Sequence, residues 1–168
     1  CENYSECYHC PGAHPQLARL TDLIGRSERA QESGNCFNGG PMRLRAGIET
    51  MSQSGASPLR RISGITDDDA RYVNYYVVYP NLLLSPHPDY VMTHLMTPLA
   101  ADRTHVECSW AFPKDVAAKP DFDPSYAVDF WDLTNRHDWA ACESVQRGLS
   151  SPHARPGPLA PDEDGVYQ

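Results

Sequence analysis

The chain has 168 residues, enough for one domain with a real core. Its 14 basic and 22 acidic residues leave a net charge of −8, which argues against nucleic acid, whose partners carry a basic footprint, and suits a cationic substrate. No apolar run approaches the roughly 20 residues of a membrane span, so no membrane association is expected, and no signal-peptide pattern is visible. The chain begins at Cys1 and ends at Gln168, after Val166 and Tyr167, in sequence that looks structured at both ends. The expectation is a piece of a longer chain.

In chain order, Asn3 to about Leu23 reads as helical, broken near Pro11-Gly12 and at Pro15. Gly25 to Pro41 is polar and glycine-containing and reads as loop. Met42 to Met51 alternates Leu44, Ala46, Ile48 and Thr50, a strand pattern. Ser52 to Asp69 is rich in Ser, Gly, Pro and Asp and reads as a long surface loop. Tyr72 to Leu84 carries the strongest β signal, rich in Val, Tyr and Leu, with Pro80-Asn81 as an interruption or bulge. Pro86 to Asp89 makes a turn. Tyr90–Thr97 and Thr104–Phe112 follow as strands joined through Pro98–Arg103, giving an antiparallel meander. Phe122 to Leu149 is a long helix, with Asp123 as N-cap and Pro124 in the first turn. Pro152 to Asp164 is Pro/Gly/Asp-rich loop. The fold class is α+β, an antiparallel sheet with helices on one face.

The six cysteines, at 1, 7, 10, 36, 108 and 142, are too scattered for a small disulfide scaffold. A reducing, cytoplasmic setting fits them. Cys7 and Cys10 form a C-x-x-C, open to three readings: two buried thiols, half a zinc site, or a redox motif.

His9 and His14 stand beside Glu6 in the same N-terminal run. On an unbroken helix, five residues would set them about 140° apart, so a kink is needed to bring both rings to one point. Downstream, Asp138 shares a helical stripe with Cys142, Val145 and Leu149, which should pack on the sheet or on the N-terminal helix. A carboxylate on that face needs a partner: a metal ion, an arginine or a cap. Asp129 and Asp132 read as solvated charges. Two histidines and one distant carboxylate can form the facial triad of a non-haem Fe(II) oxygenase. Of the other histidines, His87 falls in a turn, His94 and His105 on a hairpin, and His137 on another helix face. His94 is the reserve ligand.

Asn3-Tyr4-Ser5-Glu6-Cys7-Tyr8-His9-Cys10, with His14-Pro15 after it, closely resembles the iron-binding segment of Rieske-type ring-hydroxylating oxygenase large subunits. Asp138-Trp139, Cys142-Glu143 and Val145–Gly148 resemble the segment giving that family's third ligand. Tyr76–Ser85 resembles its central strand. The resemblance implies a helix-grip (START/Bet v 1-like) fold with a curved sheet around a deep pocket. It implies mononuclear Fe(2+) held by His9, His14 and Asp138, O2 as co-substrate, and hydroxylation of a small molecule. It gives Glu6 a role as well, bridging His9 to a histidine of the [2Fe-2S] cluster in a neighbouring subunit. Glu at that position is similar to the branch acting on quaternary ammonium compounds such as glycine betaine, carnitine and choline. Asn81–Ser85 and Phe130–Thr134 resemble the glycine-betaine-type members.

The cluster itself needs C-x-H and C-x-x-H pairs, and no C-x-x-H occurs in these 168 residues. The resemblance therefore places the Rieske domain outside this chain, and the fragment alone should not receive electrons by the normal route. Further implied partners are a ferredoxin or flavin reductase drawing on NAD(P)H and two more copies in a homotrimer. A cationic headgroup would favour an aromatic cage, for which Tyr72, Tyr75, Tyr76, Tyr79 and Tyr90 are candidates, with strand alternation sending only some inward. The alternatives are an aromatic-ring dioxygenase with the same iron site, a non-catalytic helix-grip ligand-binding domain, and a zinc module on Cys7 and Cys10.

Overall fold

The computed structural model describes residues 2–23, 29–155 and 157. Three four-residue helices open the chain, α1 (Glu2–Ser5), α2 (Cys10–Ala13) and α3 (Pro15–Ala18). Pro11 and Pro15 sit in the first turns of α2 and α3, where a missing N–H costs nothing, so the expected breaks are present. Six strands follow: β1 (Glu32–Gly34), β2 (Phe37–Arg43), β3 (Tyr72–Val78), β4 (Leu82–Pro86), β5 (Val91–Ala100) and β6 (Arg103–Ala111). They form one antiparallel sheet in chain order. A short helix α4 (Lys114–Ala117) leads to the long α5 (Ser125–Leu149). Among the described residues, no helix is long and apolar enough to cross a membrane.

Side-chain alternation divides the sheet into two faces. Register joins Val77, Leu83, His94 and Cys108 into one cross-strand row, and Ser85, Met92 and Trp110 into another. Tyr75 is on the same face, two residues from Val77. This face receives the helices. Tyr4 of α1 shares a 2.6 Å hydrogen bond with Ser85 Oγ. From α5, Trp131 Nε1 donates to Tyr90 OH at 2.7 Å, and Asn135 Oδ1 is 3.1 Å from His94 Nε2. The expected α+β class with helices on one face is the observed one.

Five local expectations are corrected. Residues 29–41 of the expected loop hold β1 and most of β2, while 24–28 lie outside the described residues. Gly39 explains why the pattern was missed. Its φ is +151°, and a Cβ there would sit 2.0 Å from the Tyr75 carbonyl oxygen, so only glycine lets β3 pair so closely. The strand expected over Met42–Met51 instead stops at Arg43, and Leu44 makes an isolated bridge with Thr21. Residues 45–49 run along the surface, and the chain turns inward at Thr50 and Met51, where Asp89 gathers this region. It is 1% exposed and accepts from Thr50 Oγ1 and Ser57 Oγ at 2.5 Å and Tyr126 OH at 2.7 Å. Tyr72–Leu84 is two strands, turned at Tyr79-Pro80-Asn81, and the Pro98–Arg103 connection shrinks to Ala101-Asp102 with an irregularity between Pro98 and Ala100.

The fifth correction concerns α5. It starts at Ser125, whose amide is capped by Asp123 Oδ1 at 2.9 Å. Its buried stripe is Ala127, Phe130, Trp131, Thr134 and Asn135, spaced by three and four. Asp138 is the next position of that stripe. Cys142, Val145 and Leu149, expected to pack against the sheet or the N-terminal helix, are exposed. Of the tail, 152–155 and 157 are irregular, and the rest lies outside the described residues.

His87 is buried against Tyr90, Tyr75 and Trp131, and burial lowers its pKa to about 3. The unfolded chain takes up that proton near pH 6.5 and the folded chain does not. Stability due to this group is therefore intact above pH 6.5 and falls as pH drops toward 3, by up to about 1.4 kcal/mol per pH unit. Urea unfolding between pH 6.5 and 5 should show this slope, and His87→Gln should flatten it. An unchanged slope would place His87 in solvent.

Candidate metal centre

The N-terminal kinks do local work before any ion is considered. Glu6 ends its short helical segment, and its carboxylate turns back on His9, accepting from the His9 amide at 3.1 Å and meeting Nδ1 at 3.0 Å. This grip leaves Nε2 pointing away from Glu6. After Pro11, α2 turns the chain so that His14, 1% exposed, presents its ring beside His9, with centroids 5.3 Å apart. An unbroken helix could not do this.

Asp138 arrives from α5. Its Oδ1 lies 3.0 Å from His14 Nε2 and 3.3 Å from His9 Nε2, and it accepts from Asn3 Nδ2 at 2.8 Å. One donor atom each from His9, His14 and Asp138 lies within 4.8 Å of the other two. Ligands about 2.1 Å from a shared ion at right angles would be about 3 Å apart. The separations and the two-imidazole, one-carboxylate donor set fit a divalent ion such as Fe(II).

The electrostatics are those of a pre-assembled site. The Asp138 bond raises the His9 pKa to about 9, with Glu6 adding to it and burial opposing. His9 is thus an imidazolium in the metal-free chain, donating to both carboxylates, and an ion would displace its Nε2 proton. Burial works against the Asp138 carboxylate, but bonds from His14, His9 and Asn3 together outweigh it and hold its pKa well below the usual range. His14 Nδ1 is buried with no partner among the described residues.

The sequence-selected residues Glu6, His9, His14 and Asp138 all meet here. The reserve ligand His94 does not: it pairs with Asn135, and burial lowers its pKa. Two contributors were missed. Asn3 steadies Asp138; it opens the segment that resembles the iron-binding motif, but the resemblance assigns it no role. His137 stacks on His14, with centroids 5.7 Å apart and planes 17° apart.

Beyond the centre, Tyr75, His87, Trp131 and Tyr90 form a chain of ring contacts between sheet and α5. Tyr75 OH, both His87 nitrogens, His94 Nδ1 and Trp110 Nε1 are buried without a partner among the described residues. Of the five candidate tyrosines, Tyr75 and Tyr90 face this region. Tyr90 OH is taken, donating to Met51 O at 2.8 Å. Tyr72 lies under Arg29, Tyr76 packs on Phe37 and Tyr79 is exposed.

A protein-family model described as the ring hydroxylating alpha subunit (catalytic domain) matches residues 1–168. The glycine betaine monooxygenase oxygenase subunit of Chromohalobacter salexigens is 27% identical over 187 residues, covering 95% of this chain and 42% of that protein. The protein of the same name from Pseudomonas aeruginosa strain UCBPP-PA14 is 25% identical over 191 residues, covering 95% and 43%. The chain thus spans under half the length of these relatives. Among solved structures, the quaternary ammonium Rieske monooxygenase CntA, in complex with an inhibitor, superposes with a TM-score of 0.62 at 17% identity, covering 89% of this chain and 35% of that one. Its complex with L-carnitine gives 0.56 at 16%, covering 90% and 34%. At these identities the superpositions show the fold.

The convergence on Asp138 can be tested without metal. Asp138→Ala leaves His14 Nε2 buried and unpaired and should cost about 1–3 kcal/mol. Asp138→Asn keeps an acceptor and should cost less. Urea midpoints of the metal-free variants would show the difference, and equal, negligible losses would mean that Asp138 and His14 do not meet.

Proposed function

The chain belongs to the family of ring-hydroxylating oxygenase alpha-subunit catalytic domains, and from that membership we propose that it is the mononuclear-iron domain of a Rieske-type oxygenase that removes a methyl group from a quaternary ammonium compound such as glycine betaine. The observation that carries this reading is the meeting of His9, His14 and Asp138 at one point. Ferrous iron held there supplies the site of dioxygen activation. The chain's own residues do the rest. Glu6 fixes the His9 ring from behind, and Asn3 holds the Asp138 carboxylate, the outer-shell support that metal ligands need. A Rieske cluster, whose C-x-x-H pair these 168 residues do not contain, would supply the electrons, and Glu6, three residues before His9, would stand at their entry point.

The substrate class rests on the relatives' names and on the buried aromatic chain. Tyr75, Trp131 and His87 offer ring faces, which attract a desolvated cation. His87, kept neutral by burial, does not repel it. Tyr75 OH and Trp110 Nε1 are donors with no partner among the described residues, suited to a carboxylate at the other end of a zwitterion. Hydroxylation of an N-methyl carbon gives a hemiaminal, which loses formaldehyde and leaves the tertiary amine.

Metal analysis should find one iron per chain. His9→Ala or His14→Ala should abolish binding, and Asn3→Ala should weaken it about 10- to 100-fold. Full iron stoichiometry after loss of either histidine would refute the ligand set.

In the longer protein with its reductase, trimethylglycine should yield formaldehyde and dimethylglycine. Ring hydroxylation of an aromatic acid with no formaldehyde would favour the dioxygenase reading. Glu6→Gln should keep iron and substrate binding, slow reductase-driven turnover strongly, and regain part of it with peroxide. Normal turnover would leave Glu6 as a support for His9 alone.

A further inference from the structure

Two thiols touch beside the first histidine. Cys7 Sγ is 2.8 Å from Cys10 Sγ, and Cys10 Sγ is 3.9 Å from His9 Nε2. The Cys10 amide donates to the Cys7 carbonyl at 3.1 Å, closing a four-residue turn. Such a turn keeps its end Cα atoms within about 7 Å, and disulfides commonly span about 5.5–6 Å between Cα atoms. The sulfurs need only close to about 2.05 Å to bond. Access differs between them. Cys10 is 5% exposed, whereas Cys7 is partly open. Cys36, Cys108 and Cys142 stand elsewhere, in the β1–β2 turn, on β6 and on the projecting part of α5.

We propose that Cys7 and Cys10 form a reversible peroxide-oxidation site built into the turn that carries His9. Hydrogen peroxide transfers one oxygen to the Cys7 thiol, giving a sulfenic acid and one water. The Cys10 thiol attacks that sulfur, the S–S bond forms, and the hydroxyl leaves with the thiol proton as a second water. Two thiols lose two electrons and two protons, and one peroxide becomes two waters. A lone sulfenic acid progresses to sulfinic acid, which is not recovered by thiols. Cys10, already in contact, intercepts it first. The disulfide fits the existing turn, so the modification is confined to residues 7–10. The inference stands on the sulfur geometry and does not require an ion at His9, His14 and Asp138.

The test treats the metal-free protein with near-stoichiometric hydrogen peroxide, blocks remaining thiols with iodoacetamide, and maps peptides by mass. The peptide holding Cys7 and Cys10 should lose about 2 Da, resist alkylation and revert with dithiothreitol, while the more exposed Cys36 and Cys142 are still alkylated. In Cys10→Ser, given a second equivalent of peroxide to carry the sulfenic acid on, Cys7 should instead gain about 32 Da and not revert. Alkylation of both Cys7 and Cys10 after Cys36 or Cys142 has oxidised would overturn the proposal. So would irreversible oxidation of Cys7 in the unsubstituted protein, a result that needs no variant to fold.

Discussion

One carboxylate oxygen ties this molecule together. Asp138 Oδ1 takes contacts from Asn3, His9 and His14, which joins the first fourteen residues to the last helix. Without that oxygen, two buried or half-buried imidazoles and an amide would face each other with donors and no acceptor. The arrangement is costly to leave unmatched, since an unpaired buried polar group loses its water without return. Once the imidazole Nε2 atoms are free of protons, they and the carboxylate oxygen offer three lone pairs to one point, while Asn3 stays on the carboxylate.

The sheet and α5 serve to bring that oxygen to the histidines. Ala127, Phe130, Trp131, Thr134 and Asn135 seat the first half of α5 on the sheet, and Asp138 falls one step further along the same stripe. Past Asp138 the helix leaves the body of the domain, and Trp139, Val145 and Leu149 face outward among the described residues. The carboxylate therefore stands at the border between packed and projecting helix. That position is low enough in dielectric to strengthen its bonds, and it is reached by the N-terminal turn.

Between sheet and helix, polarity is distributed unevenly. Asp89 is satisfied by three hydroxyls, and Tyr90 both donates and accepts. Close by, Tyr75, His87 and Trp110 keep polar atoms with no partner among the described residues. The satisfied groups lock the strands and the loop that starts at Arg45. Of the unsatisfied ones, Tyr75 and His87 lie on the ring chain that runs from Tyr4 to Trp131.

Much of this was legible in the sequence, because it depends on local chemistry. Prolines at 11 and 15 can open a helix but cannot sit in the interior of one, so the kink that unites His9 and His14 could be read directly. Alternation from Tyr72 onward declared the meander, and the motif around His9 together with Asp138 pointed to the iron-type donor set. What the sequence could not decide depends on partners distant along the chain. The β1–β2 hairpin hides in a glycine-rich run, since Gly39 is defined by how near Tyr75 comes and not by its neighbours. The stripe below Asp138 looked apolar, yet Cys142, Val145 and Leu149 find nothing to cover them, because the sheet ends before they begin. Asn3 is an ordinary helix residue until α5 delivers Asp138 to it from 135 positions away. Residue types and spacing set which groups could meet; the register of six strands and the length of helix they cover decided which did.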